Sequence, residues 1–379
     1  MKFSRIDFED LGVRAEYSQF SVPNGVAEWH VMLHVDPKTD LFIGQMQRIY
    51  AAEDRLPGLP AFAGARYVMK RYFLSDSANQ QPLMRHEPGV SLSLIQQQPL
   101  DGSKIAVWLY LQAGTDIRPD GDAVATVHNG YTHLWHMGMT CPEGDSAQQT
   151  RTILEHYETE LGRQGATLAE NCVRTWFFVR DVDTQYHGLV VARRENFERE
   201  GLTSHTHYIA STGIGGSPAD TRALVQLGSL AVLGLHPRQQ RYLYAPTHLN
   251  PTYEYGVTFE RGTAVSYGDR SHIYISGTAS INNKGQVMHV GDVVAQTRRM
   301  WENVETLLAE AGASFADVMQ IIVYLRDTAD AKRVTEMFHE RFPNIPTVVT
   351  LAPVCRPTWL IEMECIAVRP ASNPEFRPF

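Results

Sequence analysis

Short runs of apolar residues alternate along the chain with amphipathic stretches of helical spacing. The run QIIVYLRD at 320–327 is almost uniformly apolar, which is typical of a strand covered on both faces. Residues 293–308 place apolar side chains three and four apart, which predicts an amphipathic helix. That stripe consists of Val293, Thr297, Met300, Trp301, Val304, Leu307 and Leu308. We expect Asp292 to cap the start of this helix and Gly312 to end it.

The same order of elements occurs twice. Residues 133–181 and 272–327 each begin with an aromatic and aliphatic strand that ends at a glycine, Gly138 or Gly277. Each continues through Gly-Asp and Gln-Thr-Arg into a helix, and then into an apolar strand that ends in Arg-Asp. Internal self-similarity of this kind indicates two units of one architecture.

The last strand of each repeat differs in one chemical respect. Aligning the two strands places Gln226 opposite Glu362 and Gly228 opposite Glu364. Core packing gives no reason for a carboxylate on a strand that is otherwise apolar, because burying a charged group costs free energy. Because residues two apart on a strand point to the same face, each glutamate should raise the pKa of the other. One of them should therefore stay protonated near neutral pH and be able to deliver a proton.

These patterns predict an α+β fold of two tandem units, each a mixed sheet with two helices packed on one face. The N-terminal unit is expected over 1–235, where AEWHVMLHV and VSLSLIQQQ indicate extra strands attached to the first repeat. A connector over 236–252, a C-terminal unit over 253–370 and a tail over 371–379 complete the predicted division.

Composition narrows the function classes. The chain is 43% hydrophobic and 20% charged, as in a soluble globular protein. Its net charge of −8 argues against a nucleic-acid partner. No apolar run reaches the roughly 18 residues of a membrane span, and the acidic N-terminus lacks the features of a signal peptide. The four cysteines have no CxxC spacing, so we expect a cytoplasmic protein with no membrane partner, metal or cofactor.

A set of short motifs marks the second repeat between Phe259 and Val368. They are Ser276-Gly277-Thr278, Gly291-Asp292, Gln296-Thr297, Gly312-Ala313-Ser314, Val323-Tyr324-Leu325 and Ile361-Glu362-Met363-Glu364. In combination they resemble the Rid/YjgF (endoribonuclease L-PSP-like) family. The resemblance implies a chorismate-mutase-like unit, a homotrimer and ligand clefts between neighbouring sheets.

One family feature is missing. Imine-deaminating Rid proteins carry an arginine in a Pro-Ala-Arg-(Ser/Thr) stretch that grips the substrate carboxylate. At that place this chain has Pro346-Thr347-Val348-Val349. A deaminase would therefore need Arg356 to replace the missing arginine.

A second set of motifs resembles the chorismatases, which are two-unit relatives of Rid proteins. The set comprises Tyr255-Gly256, Phe259-Glu260-Arg261-Gly262, Ser276-Gly277-Thr278-Ala279-Ser280-Ile281, His289 with Gly291-Asp292, and Cys355-Arg356 before Leu360-Ile361-Glu362. The resemblance implies an enzyme that releases pyruvate from chorismate and leaves a hydroxybenzoate or a dihydroxycyclohexadiene carboxylate. Its partner would be a small anionic metabolite.

The candidate site follows from this chemistry. Arginine holds carboxylates by paired hydrogen bonds, and a buried glutamic acid can protonate an enol ether. Small residues after a strand leave room for a ligand, and a threonine hydroxyl can bond it. The predicted catalytic residues are Glu362, Arg356 and Glu364. The predicted substrate-binding residues are Arg261, Tyr255, Thr278, Ala279 and Cys355.

Each candidate also has a structural interpretation. The two glutamates would form ion pairs at a trimer interface, and Arg356 would be a surface residue in a loop. Arg261 would act as a structural cap or as a structural ion-pair partner. Cys355 is expected to be a small buried residue and not a nucleophile, because the sequence places no histidine beside it. A small-ligand-binding trimer without catalysis is the corresponding alternative function.

Overall fold

The computed structural model of the chain describes residues 1–38 and 40–379, with only the backbone of Tyr255. The strands in this part are β1 (Lys2–Phe8), β2 (Val13–Phe20), β3 (Ala27–Val35), β4 (Arg66–Leu74), β5 (Ser91–Gln96), β6 (Ile105–Ala113), β7 (Asp116–Asp120), β8 (Ala123–His128), β9 (Tyr131–Thr140), β10 (Cys172–Val179), β11 (Ala210–Gly215), β12 (Val225–Leu233), β13 (Gln240–Leu243), β14 (Gly262–Ser266), β15 (Arg270–Ala279), β16 (Val318–Leu325), β17 (Thr347–Leu351) and β18 (Ile361–Pro370). The helices are α1 (Phe42–Arg55), α2 (Ser77–Gln80), α3 (Ser146–Arg163), α4 (Leu168–Asn171), α5 (Val182–Arg199), α6 (Val293–Glu310) and α7 (Ala331–Arg341). None of these helices is both long and apolar enough to cross a bilayer.

The described strands form three six-stranded sheets that share one strand order. The first sheet runs β1-β2-β3-β6-β4-β5, the second β7-β8-β9-β12-β10-β11 and the third β13-β14-β15-β18-β16-β17. In each sheet the last two strands of this order are parallel, and the other pairs are antiparallel. The expectation of a mixed α+β fold is confirmed.

The N-terminal strands are arranged differently from the prediction. The sequence predicts that they extend the sheet of the first repeat, whereas β1 to β6 pair with one another in a sheet of their own. They can do so because this segment contains its own crossover helix, α1, and its own parallel pair, β4 and β5. Likewise β13 lies inside the predicted connector and pairs with β14. The division into units at 235/236 stays a prediction.

The helix predicted over 293–308 is confirmed as α6. The Asp292 carboxylate accepts a hydrogen bond from the backbone N–H of Ala295 at 2.9 Å, as an N-cap does. The stripe from Thr297 to Leu308 is buried. The chain leaves the helix at Gly312, whose φ of 71° favours glycine.

Hydrogen bonds between strand ends join the three sheets into a closed ring. Where β5 ends, Gln96 N donates to Ser217 O of the second sheet at 2.9 Å. Where β11 ends, Gly215 N donates to Pro353 O of the third sheet at 2.9 Å, and where β17 ends, Leu351 N donates to Gln98 O of the first sheet at 2.8 Å. The ring brings the edge of each sheet against its neighbour, so that clefts form between sheets within a single chain.

Candidate active site

Strand β18 carries two carboxylates on the face that meets the second sheet. Glu362 is 4% exposed and Glu364 is 1% exposed. The residues between and beside them, Ile361, Met363 and Cys365, belong to the apolar core. The alternation of a strand therefore separates an acidic face from an apolar face.

Glu364 is held by donors from the second sheet. Its Oε2 accepts hydrogen bonds from Arg174 Nη2 at 2.8 Å and from the Thr212 hydroxyl, and its Oε1 accepts one from Trp176 Nε1 at 2.8 Å. The Arg71 guanidinium, from the first sheet, lies 3.7 Å away. With both oxygens bonded, Glu364 forms the buried ion pair that the structural interpretation describes, although between sheets of one chain.

Glu362 has different surroundings. Its side chain forms no hydrogen bond and no ion pair with any of the described residues. Burial raises the pKa of Glu362 to about 8, and the charge of Glu364 adds to the rise, while Arg261 and Arg174 oppose it. Glu362 therefore keeps its proton at neutral pH, as the sequence predicts for one of the two glutamates.

Gly277 makes room for this carboxyl group. A Cβ atom at position 277 would lie 2.0 Å from Glu362 Oε1 and 2.9 Å from its Cδ. The Gly277 N–H is also fixed, because it donates to Thr212 Oγ1 at 2.9 Å. The glycine in the Ser-Gly-Thr-Ala turn is thus required by the close approach of the acid.

Glu362 faces a cavity between the second and third sheets, here called the acid cavity. It is narrow and contains about 470 Å³ of empty space, including the solvent at its mouth. Its lining residues are Tyr186, Arg193, Ser211, Gly213, Val257, Phe259, Arg261, Gly277, Ala279, Ile281, Cys355, Arg356, Trp359 and Glu362.

Three arginines line the acid cavity from different elements. Arg261 is buried, with Nη2 donating to Asn250 O at 2.9 Å and its guanidinium 5.4 Å from the centre of the Phe259 ring. Arg193 on α5 is 1% exposed, and its Nη1 lies 3.5 Å from Ser211 Oγ. Arg356 is half-buried in the loop before β18. No hydrogen bond or ion pair of the Arg356 side chain is found among the described residues, so it is available to a ligand.

Cys355 is a thiol in this setting. Burial raises its pKa to about 12 and the charge of Glu362 adds to the rise, while Arg356 lowers it. A thiol, unlike a thiolate, is a weak nucleophile. Cys355 lines the acid cavity as expected, but it is half-buried and not fully buried.

The structure brings together most of the predicted site residues. Five of them line the acid cavity: Glu362, Arg356, Arg261, Ala279 and Cys355. Glu364 lies behind the cavity in its ion pair, and the side chain of Tyr255 lies outside the described part of the structure.

Thr278 does not take the predicted role. The sequence predicts that its hydroxyl bonds a ligand, whereas the buried hydroxyl donates to Ser276 O at 2.9 Å. Thr278 follows Gly277 on the strand, so its side chain points to the face opposite the cavity.

Four residues that line the acid cavity were not predicted from the sequence. Tyr186, Arg193, Ser211 and Gly213 come from α5 and β11 and form one wall of the acid cavity. A signal existed for Arg193, because it continues the buried stripe of α5 that contains Tyr186 and Leu189. A charged residue in such a stripe needs a partner or a ligand.

Comparisons with known proteins point to one family. The family model described as "Endoribonuclease L-PSP" matches residues 263–369. A RutC family protein from Pyrococcus abyssi is 35% identical over 99 residues, which cover 26% of this chain and 78% of that protein. The 3-aminoacrylate deaminase RutC from Acinetobacter baylyi is 38% identical over 72 residues, 19% of this chain. This chain spans only 57% of the length of that deaminase.

Two further similarities extend beyond the third sheet. The 3-hydroxybenzoate synthase from Streptomyces hygroscopicus is 27% identical over 275 residues, which cover 65% of this chain and 77% of that protein. A crystal structure of a chorismatase superimposes with a TM-score of 0.64 at 18% identity, covering 82% of this chain and 96% of the other. That superposition shows a shared fold over most of this chain.

Proposed function

This chain belongs to the endoribonuclease L-PSP (RutC, Rid) family, and from that premise we propose that it is an enzyme that releases pyruvate from chorismate. The observation that carries the proposal is Glu362, a buried carboxylic acid whose pKa is raised to about 8 on the wall of a cavity lined by arginines. The similarity to a 3-hydroxybenzoate synthase over 65% of the chain supports a hydroxybenzoate as a product.

The geometry supports a proton transfer that starts the reaction. Chorismate has two carboxylates and an enolpyruvyl ether, and Arg261, Arg193 and Arg356 provide guanidinium groups for the carboxylates. Glu362 then delivers its proton to the terminal methylene carbon of the enolpyruvyl group. Water adds to the resulting oxocarbenium carbon and returns one proton to the Glu362 carboxylate. The bond between that carbon and the ether oxygen then breaks as the other proton of the water passes to the ether oxygen, so pyruvate is released and the oxygen stays on the ring as a hydroxyl group.

Two ring products satisfy this scheme. Hydrolysis consumes one water and leaves a dihydroxycyclohexadiene carboxylate. Formation of a hydroxybenzoate consumes no water overall, because the ring loses water as it becomes aromatic. Both routes use Glu362 as the acid, so the residues of the site support pyruvate release by either route. Analysis of the ring product distinguishes the dihydroxycyclohexadiene carboxylate from the hydroxybenzoate. Because the cavity is narrow, entry of the ring requires rim side chains such as Arg356 to move outward.

Incubation of the purified chain with chorismate and measurement of pyruvate tests the proposal. Glu362→Gln removes the proton but keeps the shape, so we expect pyruvate release to fall by about 10²- to 10⁴-fold. The matched control is Glu336→Gln, the same change at an exposed position of α7, which should leave the rate unchanged. Absence of pyruvate from well-folded wild-type protein would reject the function.

Imine hydrolysis is the second candidate, favoured by the 38% identity to a 3-aminoacrylate deaminase over 72 residues. The family arginine position is occupied here by the segment around Val348, which is 1% exposed on β17. A carboxylate would therefore have to bind Arg356 instead. Accelerated hydrolysis of 2-iminobutyrate, without pyruvate release from chorismate, would favour this function over the first.

A further inference from the structure

A second cavity adjoins the acid cavity on the other side of Phe259 and Arg261. This outer cavity contains about 500 Å³ of empty space, including the solvent at its mouth. Its walls are the segment after α5 and the segment between β13 and β14. Its lining residues are Thr203, Ser204, Thr206, His207, Tyr208, Tyr244, Pro246, Leu249, Asn250, Pro251, Thr252, Tyr253, Phe259, Glu260 and Arg261.

Four tyrosine and phenylalanine rings line the outer cavity, and two of them are exposed. Tyr244 is 46% exposed and Tyr253 is 51% exposed, which makes them two of the few large apolar side chains on the surface of the described residues. Phe259 and Tyr208 complete the aromatic wall. Flat rings around a concave space favour a planar ligand that stacks against them.

One end of the outer cavity is polar. Glu260 is 6% exposed, and its Oε1 accepts a hydrogen bond from the backbone N–H of Tyr208 at 2.7 Å. Its Oε2 has no hydrogen-bond partner among the described residues. Arg261 lies next to it and lines both cavities. Because Glu260 lines the outer cavity, a carboxylate oxygen there without a protein donor favours a ligand that brings a hydroxyl group.

We propose that the outer cavity is a binding site for a hydroxylated aromatic carboxylate. The ring of the ligand lies against Tyr244, Tyr253 and Phe259, its hydroxyl group donates to Glu260, and its carboxylate faces Arg261. Because a hydroxybenzoate is one of the two products proposed above, this inference rests on the proposed function. The site would then hold the product on its way from the acid cavity to solvent.

Calorimetric titration with 3-hydroxybenzoate tests the site. Tyr244→Ala combined with Tyr253→Ala removes two exposed stacking surfaces, so we expect the affinity to fall about tenfold while the melting temperature is unchanged. Glu362→Gln, in the acid cavity, should leave the affinity as in the wild type. The site is excluded if the wild type shows no saturable binding, if the tyrosine changes have no effect, or if Glu362→Gln weakens binding as much.

The role of Glu260 has its own comparison. Benzoate lacks the hydroxyl group and should bind the wild type several-fold more weakly than 3-hydroxybenzoate. In Glu260→Gln that difference should shrink, because an amide accepts the hydroxyl hydrogen less strongly than a carboxylate. Equal affinities of the two ligands for the wild type would contradict the proposed contact.

The two proposals fail separately. Binding of 3-hydroxybenzoate that depends on Tyr244 and Tyr253, without pyruvate release from chorismate, would reject the enzymatic function and leave the binding site. Pyruvate release together with binding that depends on Glu362 alone would reject the outer site and leave the enzyme.

Discussion

Two glutamates on one strand have opposite roles because their neighbours differ. Glu364 accepts hydrogen bonds from Arg174, Trp176 and Thr212. Glu362, two residues earlier, faces the acid cavity and has a raised pKa. The sequence predicts the pair and names Glu362 as the candidate proton donor, and the neighbours of the two groups supply the physical reason for the difference.

The pH dependence of pyruvate release should report on Glu362. Catalysis needs the protonated acid, so kcat/KM should be constant at lower pH and fall above about pH 8. Glu364→Gln removes the neighbouring negative charge, which lowers the pKa of Glu362 and moves this fall to lower pH. A pH–rate profile of both proteins checks the shift, and an unmoved alkaline limb would contradict the electrostatic coupling.

The same group should make stability depend on pH. The pKa of Glu362 rises from 4.5 to about 8 on folding, so between these values the unfolded chain binds fewer protons than the folded chain. Stability is therefore lost as pH rises through this window, by up to about 5 kcal/mol. Glu362→Gln removes this loss and should stabilise the fold more at pH 8 than at pH 5.

Thermal melting at several pH values measures this difference. Glu336→Gln, at an exposed position, serves as the control and should show no comparable trend. A Glu362→Gln protein whose melting temperature differs from the wild type by the same amount at every pH would contradict a buried, protonated acid.

At the scale of elements, the last strands of the second and third sheets are in equivalent register. Gln226 pairs with Phe178 and Thr140, as Glu362 pairs with Tyr324 and Ala279. The alignment made from the sequence is therefore confirmed.

The equivalent place between the first and second sheets is occupied by side chains. Gln226 Nε2 donates to Ser93 Oγ at 3.1 Å, and the Met137 sulfur lies 2.7 Å from where a Cβ of residue 228 would be. Among the described residues, this junction therefore has no counterpart of the buried acid Glu362.

Gly277→Ala tests how closely β15 must approach β18. The added methyl group would meet Glu362 Oε1 at 2.0 Å, so the carboxyl group must move. We expect pyruvate release to fall by about tenfold or more, since small misplacement of a catalytic group costs rate. Gly162→Ala on α3, where a Cβ meets nothing within 4 Å, should leave the rate unchanged. Equal rates for both variants would contradict the proposed position of the acid.

At the scale of the whole molecule, buried polar groups join sheets that are distant in sequence. Glu28 on β3 accepts hydrogen bonds from Arg270 Nη1 at 2.7 Å, and its Oε1 lies 3.0 Å from His272 Nε2. Phe379 is fully buried against Arg270, His272 and Tyr267. Together with the three strand-end junctions, these contacts close the ring within one chain.

The closed ring bears on the oligomeric state. The family resemblance predicts a homotrimer with clefts between sheets, and here three sheets with such a cleft already belong to one chain. We therefore expect a monomer of 42.6 kDa and not a trimer. Sedimentation equilibrium distinguishes a monomer from a trimer. A measured mass three times that of the chain would contradict the monomer and support the homotrimer.

The sequence by itself determined the features that depend on near neighbours in the chain. Helical spacing predicts α6 and its cap at Asp292, and the aligned repeats predict the register of β18 and the pair Glu362 and Glu364. These follow from local geometry, because the periods of helices and strands place side chains without reference to the rest of the fold.

Only the tertiary structure decided which surfaces meet. The N-terminal strands form a separate sheet, the first of the three. Arg193 and Tyr186 line the acid cavity, and the Thr278 side chain points away from it. These outcomes depend on contacts between residues far apart in the chain, where edges of sheets are matched by shape and hydrogen bonding. A hydrophobic pattern along the sequence does not predict which sheet edges pair, because alternation indicates that one face of a strand is buried but not which residues cover it.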